Sequence, residues 1–167
     1  ISFPGLINIT GQIYIGFNTN VQKIYFPLLQ TIGSYLQVFS NTRSPQTIHF
    51  ESLKNIGDQL YLADNPDTTL LNFPVLETVG MFVDIWSHVN ILAINLASLT
   101  TTGTTFKVRT DASPLLETIS ICTPLLTTNG HSCNFPNDND CLICQDTPGI
   151  NSTCTLLCPT MAPTMVP

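Results

Sequence analysis

The chain has 167 residues, with five Lys and Arg against eleven Asp and Glu, and a formal net charge of −6 at pH 7. This acidic balance argues against nucleic acid and anionic membrane surfaces as partners. Charged residues form only 10% of the chain, well below the roughly 25% of ordinary soluble domains, so hydroxyls, amides or attached sugars must supply much of its solubility. No apolar run approaches the ~20 residues that span a bilayer, so no transmembrane segment is expected.

A repeat of about 23 residues fills the first part of the chain. Its copies begin at Phe3, Phe26, Phe50, Phe73 and Leu96, in steps of 23, 24, 23 and 23 residues, and a degenerate sixth copy begins at Ser113. Each copy has a Leu three positions after its start. Four copies have a Gly at the seventh position, where we expect tight corners with positive φ: Gly33, Gly57, Gly80 and Gly103.

Two short strands are predicted in each copy. Apolar residues recur in pairs with one residue between them, as in Ile13 with Ile15 and Leu36 with Val38, which is the alternation of a strand with one buried face. A second apolar cluster precedes the next Phe. Between the two strands lies a column of predicted turn residues, whose short polar side chains tolerate left-handed geometry: Asn18, Asn41, Asn65, His88 and Asp111.

One such unit cannot bury its apolar face alone, whereas stacked copies form a continuous core. We therefore predict an all-β fold, a short parallel β-helix or solenoid of five to six leucine-rich coils over residues 1–121. A string of amphipathic helices is disfavoured, because Gly, Thr and β-branched residues recur where those helices would run.

The phrases from Phe26-Pro27 to Gly33 and from Phe73-Pro74 to Gly80 resemble the receptor L domain family, which includes growth-factor receptor L domains and repeats of fungal cell-wall glycoproteins. The resemblance covers roughly residues 3 to 121. It implies a leucine-rich, right-handed β-helix without catalytic function, often followed by a cysteine-rich segment. It does not indicate a ligand.

All six cysteines lie in residues 122–158, which we interpret as a disulfide-stapled cap, followed by a Thr/Pro-rich tail at 159–167. They are Cys122, Cys133, Cys141, Cys144, Cys154 and Cys158. Three disulfides use every cysteine, and their pairing stays open among 15 possibilities. A zinc site or a redox pair at Cys141 and Cys144 is the weaker interpretation, so we expect no metal and no cofactor.

Two glycosylation sequons begin at Asn8 and Asn151. Together with the clustered cysteines they favour an oxidising compartment, and hence an extracellular or cell-surface glycoprotein. The chain starts at Ile1 rather than Met, which we interpret as a mature form without its signal peptide.

The outward positions of the first strand are rich in aromatic residues, which indicates a contact surface. A covering loop or the tail, a glycan or protein ligand, and another copy of the chain are the three possible occupants. The candidate interface residues are Tyr14, Tyr35, Phe39, Tyr61, Phe82 and Trp86.

No enzyme is expected. His49 and His88 fall in repeat columns and His131 in the cysteine-rich segment, with no nucleophile motif beside them.

The N-terminal end of the solenoid carries no evident cap, because Ile1 leads directly into the first repeat. Head-to-tail contact between copies would protect such an end and would build filaments. The sequence therefore favours a structural glycoprotein that self-associates into an extracellular fibril or surface layer. The alternative is a receptor-like or adhesin-like module that binds glycan or protein through its aromatic face.

Overall fold

The computed structural model describes residues 1–43, 45–109 and 118–121, and in these residues the chain is all-β. The described part contains fifteen strands, three in each of five coils. In chain order they are β1 Asn8–Ile9, β2 Ile13–Gly16, β3 Lys23–Tyr25, β4 Thr31–Ile32, β5 Leu36–Phe39, β6 Thr47–His49, β7 Asn55–Ile56, β8 Leu60–Ala63, β9 Leu70–Asn72, β10 Thr78–Val79, β11 Phe82–Trp86, β12 Ala93–Leu96, β13 Thr101–Thr102, β14 Thr105–Arg109 and β15 Thr118–Ile121.

The strands form three parallel sheets that wrap a single core. The short sheet contains β1, β4, β7, β10 and β13, the long sheet β2, β5, β8, β11 and β14, and the third sheet β3, β6, β9, β12 and β15. Every pairing is parallel and joins equivalent positions of neighbouring coils, as in Ile13 with Leu36 and Leu36 with Leu60. The predicted β-solenoid is confirmed. The short sheet, which the sequence did not predict as strands, adds a third wall.

The core consists of columns in which equivalent residues of successive coils stack on one another. Phe26, Phe50 and Phe73 lie one above another with ring centroids 5.0 and 5.3 Å apart and nearly parallel planes. The inward residues of the strands are buried beside them, as Leu36, Leu60 and Val83 show. Each coil therefore covers the apolar surface of the next, which is why the repeat is strict in the inward positions.

The four glycines at the seventh position of the repeat, which we call the glycine column, are required for a different reason from the one predicted. None of Gly33, Gly57, Gly80 and Gly103 has a left-handed φ. A Cβ at Gly57 would instead overlap the carbonyl group of Gly33, and the same overlap recurs one coil higher. The coils lie too close together at this corner for any side chain.

Left-handed backbone occurs one residue before the predicted turn column. Phe17, Ser40, Asp64 and Ser87 have φ values between 49° and 58°. The asparagines that follow them point inward, and Asn41 and Asn65 are fully buried. The Nδ2 of Asn41 donates to the Oδ1 of Asn65 at 2.8 Å, and the Nδ2 of Asn65 donates to the carbonyls of Val38 and Ala63. The column is an inward amide ladder that joins the first three coils, and His88 continues it in the fourth coil through the Asn65 carbonyl.

The degenerate sixth copy is wrongly aligned in the sequence prediction. β15 pairs with β12, so Ile119 lies against Ile94 in the third sheet rather than beginning another coil. The segment from Ser113 to residue 117 lies outside the described residues, as do the predicted cap, its six cysteines, the tail and Asp111. The described residues contain no helix long and apolar enough to cross a membrane.

Candidate binding surfaces

The outward side of the long sheet carries a continuous line of aromatic rings. Phe39 contacts Tyr14 edge-on with centroids 5.1 Å apart and contacts Tyr61 at 5.9 Å. Tyr61 in turn contacts Trp86 at 6.4 Å. We call this line, with Phe17, the aromatic band. It crosses four coils because each ring reaches diagonally to the next strand.

Small residues make room for these rings. Phe39 pairs in register with Gly16 on one side and Ala63 on the other, and Ala63 pairs with Trp86. A Cβ at Gly16 would lie 3.1 Å from the Phe39 ring, and Ala63 is fully buried although it faces outward. Large and small side chains therefore alternate along one outward column, and the rings shield one another.

The structure places all six predicted interface residues on or beside this face. Tyr14, Phe39, Tyr61 and Trp86 form the band, while Tyr35 directly precedes β5 and Phe82 begins β11. In the register, Gln59 lies between Tyr35 and Phe82, so these two rings belong to the neighbouring column. The prediction did not include Phe17, which is 70% exposed and packs on Phe39 with centroids 5.2 Å apart. The signal available in the sequence was that Phe17 directly follows the alternating residues of β2.

The first coil presents a second apolar surface. Phe3 stacks on Phe26 with centroids 5.5 Å apart and continues the phenylalanine column, yet it is 53% exposed. Ile1 and Ile7 are also exposed. Within the described residues, β1 and β2 each have a paired neighbour on one side only, and Ser2 forms the outermost bridge of the third sheet.

A polar groove lies between the long sheet and the third sheet. It has a volume of about 760 Å³. It crosses the loops of four successive coils and is lined by Asn20, Gln22, Arg43, Gln46, Asp67, Thr69, Asn90 and Leu92. No sequence pattern indicated this groove, because its lining consists of loop residues from different coils.

The two histidines in the described residues, His88 and His49, each contact a residue of the neighbouring coil. His88 is buried in the asparagine column, where its Nδ1 lies 3.2 Å from the carbonyl oxygen of Asn65. Burial lowers the pKa of His88, and the Asn65 carbonyl opposes this effect. His49 lies on the outward side of the third sheet, with its Nε2 3.0 Å from the Nδ2 of Asn72. His131 lies outside the described residues.

One of the two predicted glycosylation sites lies in the described residues. Asn8, the first predicted glycosylation site, is exposed on β1, and its Oδ1 accepts a hydrogen bond from the Thr31 hydroxyl at 2.7 Å. Asn151 lies outside the described residues.

The Tyr25 hydroxyl donates to Glu51 at 3.2 Å, and this bond raises the pKa of Tyr25. The described residues contain no group of three or more His, Cys, Asp or Glu side chains that could hold a metal ion.

Comparison of the chain with protein-family models, with curated proteins and with solved structures finds no match.

Proposed function

We propose that the chain is a non-catalytic, extracellular structural glycoprotein that self-associates head to tail. The observation that carries this proposal is the first coil, where Phe3 extends the phenylalanine column but stays half exposed. A coil from a second copy placed against it would bury Phe3 and would pair with the outer edges of β1 and β2. Parallel edges with exposed apolar residues favour such strand addition.

The test is the state of association of the full chain in sedimentation velocity over a wide concentration range, with electron microscopy of the same samples. Wild type should form concentration-dependent oligomers, and Phe3→Asp should be monomeric because it puts a charge into the buried contact. Met81→Asp is the matched control, since Met81 is exposed to a similar extent on the fourth coil. A wild-type chain that stays monomeric at every concentration contradicts the assembly.

The proposal that the chain is a secreted glycoprotein has its own test. Asn8 is exposed, so a glycan at this residue would extend from the first coil into solvent. Enzymatic deglycosylation in ¹⁸O-labelled water should convert Asn8 and Asn151 of the native protein to labelled Asp, detected by peptide mass spectrometry. Unlabelled peptides from both sites would contradict this assignment.

The second candidate function is recognition through the aromatic band, in the manner of an adhesin or receptor ectodomain. The band supports it because exposed, rigid rings bind sugars or apolar protein groups at small conformational cost. Trp86 is the single tryptophan of the chain, so its fluorescence reports on the band directly. A discrete monomer whose Trp86 emission shifts on titration with an oligosaccharide would favour recognition over assembly.

A further inference from the structure

The repeat contains one extra residue in the described coils, and it lies in the loop that reaches the polar groove. From the amide ladder to the next strand of the third sheet the chain advances five positions in three coils: Asn18 to Lys23, Asn65 to Leu70, and His88 to Ala93. In the second coil it advances six, from Asn41 to Thr47. In repeat proteins, insertions in single repeats map to loops on one face, often the binding face.

The inserted loop contains a backbone conformation that the other coils lack. Arg43 has φ 52°, whereas the other four left-handed non-glycine residues all follow strands of the long sheet. A left-handed conformation at such a residue costs free energy and persists only where the surroundings impose it. The backbone at Arg43 is therefore held in a conformation that the equivalent loops of the other coils do not show.

Both ends of this loop are fixed to the solenoid. At its start, Asn41 belongs to the buried amide ladder. At its end, the hydroxyl of the buried Thr68 donates to the carbonyl of Pro45 at 2.7 Å, and Thr69 donates to the carbonyl of Gln46 through its amide at 2.9 Å and its hydroxyl at 3.0 Å. The described residues at the two ends of the loop are thus anchored on the third coil. Anchored backbone lowers the entropic cost of binding a ligand.

The lining of the groove defines the chemistry of its ligand. It offers four primary amides from Asn20, Gln22, Gln46 and Asn90, which together present donors and acceptors. The charges of Arg43 and Asp67 are opposite, so the lining carries no net formal charge. A volume of about 760 Å³ lies within the range of ligand-binding clefts. A polyanion would need several cations, and Arg43 is the only cation among the described residues of the lining.

We propose that this groove binds a neutral oligosaccharide, with Arg43 and Gln46 of the inserted loop and the amides of the neighbouring coils as hydrogen-bonding partners of its hydroxyl groups. The sugar chain lies along the stacking direction and contacts successive coils in turn. This site is separate from the aromatic band and from the edges of the first coil, so its test stands apart from that of the proposed function.

The experiment is calorimetric titration of the full chain with four neutral hexasaccharides, of the β-1,3-glucan, β-1,4-glucan, chitin and mannan types, with oligogalacturonate as the anionic comparison. At least one neutral hexasaccharide should bind with a Kd below about 1 mM. Gln46→Ala and Arg43→Gly should each weaken this binding at least about tenfold, equal to about 1.4 kcal/mol. Gln37→Ala, on the outward side of the long sheet, is the matched amide control and should bind as wild type does.

Arg43→Gly separates binding from folding. Glycine adopts the left-handed conformation without strain, so the melting temperature should not fall while binding is lost. The proposal is overturned if no neutral hexasaccharide binds, if the groove variants bind as tightly as wild type, or if oligogalacturonate binds more tightly than every neutral sugar. Binding that shifts Trp86 fluorescence and is lost in Trp86→Phe but not in Gln46→Ala would place the sugar on the aromatic band and would also overturn it.

Discussion

At the scale of single residues, Gly33, Gly57, Gly80 and Gly103 lie directly against the backbone of the coil below. A Cβ at Gly57 would overlap the Gly33 carbonyl, and neither residue has a left-handed φ. The glycine column thus lets the coils approach closely at one corner, and the neighbouring backbone cannot move away because the sheets hold it in register.

We expect Gly57→Ala to lower the free energy of unfolding by about 1–3 kcal/mol, the usual range for overpacking a close contact, measured by urea denaturation. Gly11→Ala is the control, since nothing lies within 4 Å of a Cβ there, and it should be close to neutral. Gly57→Asn distinguishes the two explanations for glycine. A left-handed position would accept Asn better than Ala, so a more stable Asn variant would contradict the stacking explanation.

His88 makes stability depend on pH. Burial lowers the pKa of His88 in the folded protein, whereas the unfolded chain titrates near its ordinary value of about 6.5. Below that pH the unfolded state binds a proton that the native state refuses, so the free energy of unfolding falls as the pH decreases from about 7 to 5. The His88 contribution to this slope is at most about 1.4 kcal/mol per pH unit.

His88→Asn tests this dependence, because Asn occupies the same column in the coils below. The variant should be as stable as wild type near pH 8 and should lose less stability towards pH 5, measured by urea denaturation at each pH. His49 and His131 remain in both chains, so the difference in slope reports His88 alone. Equal slopes for the two proteins would disprove the assignment.

At the scale of elements, the positions along one core column differ in how much they stabilise the fold. Phe50 is fully buried between Phe26 and Phe73, whereas Phe3 at the end of the same stack is half exposed.

The strands of the long and third sheets were predictable from the sequence, because alternation at Ile13 and Ile15 or Leu36 and Val38 follows directly from the pleat. The two-residue strands of the short sheet were not, since alternation cannot be recognised in Asn8–Ile9 or Thr31–Ile32.

We expect Phe50→Ala to cost about 3–5 kcal/mol of unfolding free energy, because it leaves a cavity between two rings. Phe3→Ala should cost less than about 1 kcal/mol in the monomer, since half of the ring already contacts water. Urea denaturation at low protein concentration measures both. Similar losses for the two variants would mean that the first coil is covered in solution, which would itself report association.

At the scale of the whole molecule, the described apolar core contains no cysteine. The buried apolar cluster extends from Ile13 to Val108, whereas the first cysteine is Cys122. The apolar contacts and the three sheets therefore stabilise the solenoid without a covalent link inside it.

Reduction of the full chain with dithiothreitol should leave most of the far-ultraviolet circular dichroism signal of β-structure in place, because residues 8–109 contain no cysteine. The signal of the unreduced protein is the reference, and a reduced Phe50→Ala variant shows what a weakened core looks like. Complete loss of β-signal on reduction of wild type would contradict an autonomous solenoid.

The sequence by itself determined the repeat, the parallel stacking and the outward position of the aromatic residues, because side chains that recur at a fixed step in parallel coils must lie in register. Only the tertiary structure decided which contacts those columns make. It showed that Gly57 is required by the coil below, that Asn65 faces inward, that Phe17 joins the aromatic band, and that Arg43 and Asp67 face one groove. These facts depend on distances between residues about 23 positions apart, and a repeat pattern fixes their order but not their separation.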